Sequence, residues 1–189
     1  TLVAGICLGT VHDITLDPIA QAQEAAATKT YQEVYPDAAS FDEPQELADA
    51  VTAAADSISE WGFGKVTIND AKEALDASGN QIGYLITSTS AESYGGNVQI
   101  AVGITNEGEL TGIGFLSISD TPGLGMRAKE PDFKDQFIGK KAENLEVTKT
   151  GASADNQIEA ISGATITSRA VTSAVNSCVA YSKSLKGGN

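Results

Sequence analysis

Apolar positions recur at helical spacing near both ends of the chain. Residues 18–34 are rich in Ala, Gln and Glu, and Asp17 followed by Pro18 is typical of a helix start. A second helix is expected at 44–59. A third is expected at 167–185, where an apolar stripe recurs every three or four residues: Ile166, Ala170, Val171, Ala174, Val175, Cys178 and Val179. That stripe should pack the last helix on the core.

Between these helices the pattern becomes typical of antiparallel strands. Turn-forming residues at 77–80 and 106–109 separate segments rich in β-branched residues. The expected strands are 66–68, 71–76, 81–89, 98–105 and 110–118, followed by a short helix at 133–138 and a short strand at 145–148. Along the chain, helices and strands do not alternate regularly as they do in a doubly wound fold. The sequence therefore predicts an α+β fold, with an antiparallel sheet, N-terminal helices and a C-terminal packing helix.

The charge balance narrows the classes of partner. The chain has 25 acidic and 12 basic residues, which gives a net charge of −13. Nucleic acid and anionic lipid surfaces are bound through Lys and Arg, so no nucleic-acid partner is expected. A hydrophobic share of 41% is too high for a wholly disordered acidic chain. With 189 residues, the chain is expected to form one domain, or one domain with an appendage.

The first 11 residues are almost wholly apolar or small, and His12-Asp13 ends the run. Such a run is shorter than the ~20 residues that span a bilayer. The chain lacks an initiator Met, since its only Met is Met126. We expect residues 1–16 to be a membrane-helix remnant and leader, and 17–189 to be the folded domain. The alternative is a helix or strand buried within the domain.

Hydrolase and zinc chemistry find little support. The sole histidine, His12, lies in the expected leader, and no cluster of metal-ligating residues surrounds it. Cys7 and Cys178 are far apart and match no metal spacing. Cys178 lies on the apolar helical stripe, so a buried free thiol is expected there. We predict no metal site and no catalytic residue.

The segment before the last helix is the clearest candidate for chemistry. It combines small residues with four hydroxyls at an expected helix start, in the order Ile161-Ser162-Gly163-Ala164-Thr165-Ile166-Thr167-Ser168. The first amides of a helix have no intrahelical acceptor, and the helix dipole favours an anion such as phosphate. The pattern is neither a Walker A nor a dinucleotide fingerprint. Spacing alone therefore leaves open an ordinary Ser/Thr cap.

The stretch Glu159-Ala160-Ile161-Ser162-Gly163-Ala164-Thr165 resembles the flavinylation motif of a family of FMN-binding domains. These domains belong to the G subunit of the Rnf electron-transport complex and the C subunit of the sodium-pumping NADH:quinone oxidoreductase. The resemblance implies that Thr165 carries FMN through a phosphoester bond, which a separate flavin transferase makes from FAD. It assigns Ser162, Gly163, Ala164 and Thr167 to the same site. The family motif usually begins with Asp, whereas this chain has Glu159.

Two further segments match the same family in their order and spacing along the chain. Thr121-Pro122-Gly123-Leu124-Gly125 is similar to the family loop that lies against the isoalloxazine ring, which assigns Thr121, Gly123, Leu124 and Gly125 to the cofactor. Tyr94-Gly95-Gly96, before a Val/Ile strand, resembles the family's glycine-rich turn and assigns these three residues as well. Without the resemblance, the first segment is a good type II turn. Tyr94 has two open roles, stacking on the ring or packing in the sheet.

The resemblance implies an electron-transfer subunit with covalent FMN, acting as a redox subunit of a membrane complex rather than as a stand-alone catalyst. Its partners would be the other subunits, the flavin transferase and the membrane, reached through one N-terminal helix. The soluble domain would lie on the extracytoplasmic side. The short stretch before the sheet favours the ferredoxin:NAD oxidoreductase (Rnf) over the NADH:quinone oxidoreductase.

Two hypotheses from other classes remain. One is a non-redox extracytoplasmic binding module in which Thr165 is unmodified. The other is an enzyme domain whose FMN reduces a small organic substrate, which would need a proton donor beside the flavin. Charge supports covalent attachment: a free phosphate carries nearly two negative charges, and the net charge of −13 opposes its reversible binding. Arg169, four residues after Thr165, is either a phosphate partner or a solvated side chain.

Overall fold

A computed structural model describes residues 23–141 and 144–186. The expected membrane remnant and leader at 1–16, and the start of the first expected helix, lie outside these residues. Within the two described ranges, no helix combines the length and the apolar character needed to cross a membrane.

Five antiparallel strands form a meander in which each strand pairs with its neighbours in sequence. The strands are β1 (Ser40–Asp42), β2 (Val66–Leu75), β3 (Gln81–Ser93), β4 (Gly96–Thr105) and β5 (Leu110–Ile118). The predicted hairpins are confirmed. The two segments predicted at 66–68 and 71–76 form one strand, because a register shift between Ile68 and Asp70 carries β2 past the break in its pattern. The sequence did not predict β1, which is only three residues long.

Helices flank the sheet. Residues 23–34 form α1, and the others are α2 (Gln45–Ile58), α3 (Pro131–Lys134) and α4 (Thr165–Lys186). The predicted α+β class is therefore confirmed. The helix predicted at 133–138 is instead α3 followed by a 3₁₀ turn, Asp135–Phe137. The last helix starts two residues earlier than predicted, because the Ser168 amide already donates to the Ala164 carbonyl at 3.0 Å.

The two faces of the sheet pack differently. On one face, α4 and α2 cover large aliphatic residues such as Ile86, Ile100 and Val102, all fully buried. Cys178 lies there as a buried free thiol, as expected, and burial raises its pKa to about 12. On the other face, α1 packs close to the backbone of β5. A Cβ on Gly114 would lie 2.4 Å from Thr30 Cγ2, so only glycine admits this approach.

A second, two-stranded parallel sheet leads the chain into α4. It pairs β6 (Glu146–Thr148) with β7 (Gln157–Glu159). Strand β6 matches the predicted strand, whereas β7 was not predicted. The Gln136 side chain extends this sheet by accepting from the Glu159 amide at 2.7 Å and donating to the Glu159 carbonyl at 3.3 Å. These bonds fix the backbone just before the candidate attachment segment.

Candidate functional site

Three segments that are distant in sequence meet at one end of the main sheet. They are the β3–β4 turn, the loop after β5 and the start of α4. Together they enclose a cleft of about 490 Å³. Its lining is Tyr94, Asp120, Thr121, Leu124, Gly125, Gly163, Ala164, Thr165, Ile166 and Thr167. Eight of the twelve residues that the resemblance assigned to a cofactor thus line one cavity, and Asp120 and Ile166 join them.

A tight turn leads directly into α4. The Ala164 amide donates to the Ile161 carbonyl at 2.9 Å, and Gly163 holds a φ of +79° that favours glycine. The Ser168 hydroxyl ties this turn to the helix, since it accepts from the Ile161 amide and donates to the Ala164 carbonyl, both at 3.0 Å. The first turn of α4 thus begins at the cleft, and helix-start amides, which have no intrahelical acceptor, suit an anion.

The four hydroxyls of this segment have different surroundings. Ser168 is fully buried and occupied by the turn, and Thr167 is fully buried and donates to Asp120 Oδ2 at 2.6 Å. Ser162 is exposed and lies outside the cleft. Thr165 is half-buried, lines the cleft and, within the described residues, makes no side-chain hydrogen bond. It is therefore the hydroxyl of the four that both faces the cleft and remains free to react.

Asp120 joins the three segments, and the sequence analysis missed it. Its Oδ2 accepts from Thr167 and from the Ser93 hydroxyl at 2.8 Å, and its Oδ1 accepts from the Thr121 amide at 2.7 Å. Burial alone would raise the pKa of Asp120. These bonds and one from the Gly95 amide lower it by more, so the pKa of Asp120 lies below its ordinary value. The signal available in the sequence was a carboxylate directly before the Thr121 loop.

The loop at 121–125 forms the turn that its composition predicted. The Leu124 amide donates to the Thr121 carbonyl at 3.1 Å, and Gly123 has a φ of +75°. Leu124 is 43% exposed and lies over Gly163, where a Cβ would come within 3.1 Å of Leu124 Cδ2. Gly125 faces the Asp120 carboxyl, which a Cβ would approach to 2.2 Å. Gly125 therefore lets the loop close over Asp120.

The β3–β4 turn presents its tyrosine to the cleft. Tyr94 is 72% exposed, so the structure does not pack it in the sheet. Gly95 allows close approach of the β5 end, because a Cβ there would lie 1.9 Å from the Ser119 carbonyl oxygen. Gly96 has a φ of +109° and makes the turn. Gly95, Gly96 and Gly123 thus shape the loops around the cleft without lining it.

Ser162 and Glu159 face a neighbouring pocket of about 250 Å³ on the other side of the turn. Arg127 also lines this pocket and pairs with Glu130 at 3.1 Å. Arg169, the candidate phosphate partner, is an exposed residue of α4 and does not line the cleft.

The apolar side chains around the cleft are unusually exposed. In the described ranges, four large apolar side chains are exposed, and Tyr94, Leu124 and Ile166 among them line the cleft. The fourth, Ile138, lies elsewhere. The site therefore combines an anion-binding helix start with an open apolar surface, which suits a ligand that has a charged end and a flat apolar body.

Comparisons with known proteins agree with this geometry. The family model for an FMN-binding domain matches residues 93–180, a range that contains all three segments of the cleft. The chain is 36% identical to the G subunit of the Na⁺-translocating ferredoxin:NAD⁺ oxidoreductase complex of Acetobacterium woodii, over 92% of this chain and 82% of that protein. It is 34% identical to the G subunit of the proton-translocating ferredoxin:NAD⁺ oxidoreductase complex of Clostridium ljungdahlii, over 66% and 72% of the two chains.

A solved structure shares the fold. The crystal structure of the C subunit of the Na⁺-translocating NADH-quinone reductase from Parabacteroides distasonis superposes with a TM-score of 0.52 at 28% sequence identity, covering 63% of each chain.

Proposed function

Since this chain belongs to the family of G subunits of ion-translocating ferredoxin:NAD oxidoreductase (Rnf) complexes, we propose that it is an electron-transfer subunit that carries FMN covalently on Thr165. The observation that carries the assignment is the state of the four hydroxyls at the start of α4. The Thr165 hydroxyl lines the cleft and makes no hydrogen bond within the described residues, whereas the hydroxyls of Thr167 and Ser168 are buried and bonded.

The cleft fits FMN in size and chemistry. Its volume of about 490 Å³ lies in the usual range for small-molecule sites, roughly 300–1,000 Å³. A phosphate esterified to Thr165 would lie at the N-terminus of a 22-residue helix, where amides and the helix dipole favour an anion. The exposed apolar side chains Tyr94, Leu124 and Ile166 offer contacts to the flat ring. These are the residues that would hold the group.

Attachment is a phosphoryl transfer that the flavin transferase would catalyse. The Thr165 Oγ–P bond forms while the pyrophosphate bond of FAD breaks, AMP leaves, and the transferase takes the hydroxyl proton. The product is a phosphodiester with one negative charge instead of the nearly two of free FMN. In a chain of net charge −13, a covalent bond removes the need for reversible affinity against that field.

We propose electron transfer rather than reduction of an organic substrate because the relatives of this chain are named as subunits of ferredoxin:NAD⁺ oxidoreductase complexes. Bound FMN supplies the redox chemistry by accepting and releasing electrons. Reduction of a substrate would need a proton donor beside the ring. The carboxyl that lines the cleft, Asp120, has a lowered pKa and is therefore deprotonated near neutral pH. The chain's own residues thus bind and orient the cofactor, and the other subunits supply and take the electrons.

The Rnf assignment is favoured over the C subunit of the NADH:quinone oxidoreductase. The curated relatives that align with most of this chain are named as G subunits of ferredoxin:NAD⁺ oxidoreductases. The Parabacteroides distasonis C subunit is less similar in sequence, at 28% identity. The shared fold is compatible with either complex, and sequence identity supports the first.

We also propose that residues 1–16 anchor the subunit in the membrane, with the domain from residue 17 onward on the extracytoplasmic side. The first described turns of α1 lie at the cleft end of the sheet, since Gln23 and Glu24 share a pocket with Gln99 and Ser117. An anchor before α1 would therefore hold the cleft near the membrane. An alkaline phosphatase fused after Asn189 of the full-length protein should be active, and an inactive fusion would contradict this topology.

The attachment is tested by intact mass after denaturation. Protein made together with the flavin transferase should gain the mass of FMN less one water, and peptide mapping should locate the gain on the peptide with Thr165. Thr165→Ala should lose the label completely and Thr165→Ser should retain it. The matched control is Thr150→Ala, which removes an exposed threonine outside the cleft and should label fully. Full labelling of Thr165→Ala would refute the assignment.

A further inference from the structure

We propose that Asp120 is a positioning residue that fastens the three walls of the flavin cleft together, and that its negative charge lowers the reduction potential of the bound flavin. This inference rests on the proposed function, because it assumes that FMN occupies the cleft. The positioning part concerns the protein alone and can be tested without the cofactor.

The hydrogen bonds of Asp120 come from each wall of the cleft. Ser93 Oγ, at the end of β3, donates to Oδ2 at 2.8 Å, and Thr167 Oγ1, in the first turn of α4, donates to the same atom at 2.6 Å. The Thr121 amide, in the loop over the cleft, donates to Oδ1 at 2.7 Å. One carboxylate therefore links segments 27 and 47 residues away in sequence. Hydrogen bonds to an ionised acceptor are stronger than neutral ones, which suits this role.

The backbone around Asp120 is shaped to receive it. A Cβ on Gly125 would lie 2.2–2.5 Å from the atoms of the carboxyl group, and a Cβ on Gly95 would lie 2.7 Å from Asp120 Cα. Any side chain at either position would push the carboxylate out of reach of its donors. Gly95 and Gly125, which are among the glycines that the resemblance assigned to the cofactor, therefore also make room for the Asp120 carboxylate.

Asp120 keeps its charge in this position. Burial alone would raise its pKa, but its hydroxyl and amide partners stabilise the carboxylate without neutralising it and hold the pKa below the ordinary value. Within the described residues, none of its contacts is a salt bridge, and Arg127 nearby in sequence pairs with Glu130 instead. The cleft therefore has one fixed negative charge in its wall.

A fixed negative charge disfavours reduction of a neighbouring group, because reduction adds electrons to it. Charge interactions fall with distance and with the local dielectric constant, and they remain substantial across a site that is partly shielded from water. Removing one charge from the cleft wall should shift the ratio of reduced to oxidised flavin at a fixed ambient potential about tenfold toward reduction. For a two-electron couple this equals about 30 mV.

The charge is tested with Asp120→Asn in flavin-loaded protein. Asparagine is nearly isosteric with aspartate: its oxygen can still accept from the Thr121 amide, and its NH₂ group can donate to the two hydroxyls, which rotate. The Gly95 amide, which also bonds to Asp120, then meets a neutral group. The potential is read on the flavin-loaded fraction of the variant, and we expect its midpoint to be raised by the amount given above. Glu107→Gln is the matched control, since it removes one charge from the exposed β4–β5 turn at the opposite end of the sheet and should not change the potential. Equal potentials for Asp120→Asn and the wild type would overturn the charge effect.

The positioning role is tested by hydrogen exchange in protein made without the transferase. Asp120→Ala should speed exchange of the hydrogen-bonded amides of Thr121, Leu124 and Ser168, with little change at the opposite end of the sheet. Ser93→Ala removes a single donor and should produce a smaller change at the same place, which keeps the test valid if Asp120→Ala unfolds. Unchanged exchange in both variants would overturn the role. A wild-type protein without FMN on Thr165, after production with the transferase, would instead refute the proposed function and leave this result standing.

Discussion

The two ends of the five-stranded sheet satisfy their polar groups in opposite ways. The far end is the end that holds the β2–β3 and β4–β5 turns. There the Asp76 carboxylate accepts from the backbone amides of Ser78 and Asn80, and the Tyr35 hydroxyl donates to the Ile82 carbonyl at 2.9 Å. At the cleft end, apolar side chains are exposed and the first amides of α4 have no intrahelical acceptor. The turns of the far end are closed by hydrogen bonds within the chain, whereas the cleft end leaves an apolar surface open to a ligand.

Helix α4 connects these two ends and contributes to both. At its C-terminus, Lys186 Nζ donates to the Asn106 carbonyl at 2.7 Å and to the Thr105 carbonyl at 3.2 Å, which closes the β4–β5 turn. At its N-terminus, Thr165 lines the cleft and is the attachment site that we propose. A helix of 22 residues is about 33 Å long, so one element closes one end of the sheet and forms the binding site at the other.

The largest effect is expected from filling the space beside Asp120. Gly125→Ala places a methyl group 2.2 Å from the carboxyl, so either the carboxyl or the loop must move. Overpacking of this kind typically costs about 1–3 kcal/mol, which is the range we expect for the loss in unfolding free energy. Flavin attachment should also slow, because the cleft walls separate. Urea unfolding and the rate of labelling by the transferase measure the two effects.

The control for this variant lies at the far end. Gly79 has a φ of +81° in the β2–β3 turn, and a Cβ there would meet open space. Gly79→Ala should cost about 1 kcal/mol through backbone strain alone and should label at the normal rate. Equal labelling rates for both alanine variants would mean that the two ends of the sheet do not differ in the way described.

A smaller effect is expected from a variant that exposes the flavin ring to solvent. Leu124 is 43% exposed, so Leu124→Ala should cost well under the ~2 kcal/mol or more of a fully buried leucine. Attachment should continue, because Thr165 is intact, while a soluble quencher should reach the flavin more easily. Ile138→Ala is the matched control, since Ile138 is 55% exposed away from the cleft. Unchanged quenching in folded Leu124→Ala would remove Leu124 from the flavin contacts.

The smallest effect is expected from titrating one carboxyl group at each end of the sheet with acid, because both groups stay ionised at neutral pH. At the far end, hydrogen bonds lower the pKa of Asp76. In the cleft, burial would raise the pKa of Asp120, but its hydrogen bonds outweigh burial, so the pKa of Asp120 is lowered as well. A lowered folded-state pKa adds stability above the ordinary value of about 3.9, and this stability is lost as the pH falls through the folded value. Amide shifts of Ser78 and Thr121 should therefore titrate below about pH 4. In Asp120→Asn, the Thr121 titration should vanish while that of Ser78 remains. A midpoint above the ordinary value would contradict the model of Asp120 as a bonded carboxylate.

Local patterns in the sequence were sufficient for most of the fold. Alternating β-branched residues predicted the two hairpins of the sheet, and the apolar stripe of α4 predicted its buried face. The elements that were missed, β1 and β7, have three residues each and exist because a neighbouring strand pairs with them. Strand β6, which was predicted, is equally short, so three residues show a period only in some cases and pairing rather than pattern determines such strands.

The sequence by itself determined the turn before α4, because its small residues and hydroxyls are adjacent in the chain and form the turn locally. Only the tertiary structure decided which hydroxyl is free and which carboxylate joins the cleft. Thr167 and Ser93 reach Asp120 across 47 and 27 residues, and these contacts depend on how α4 packs on the sheet. A side chain's availability depends on burial and on hydrogen-bond partners, and both are set by residues distant in sequence.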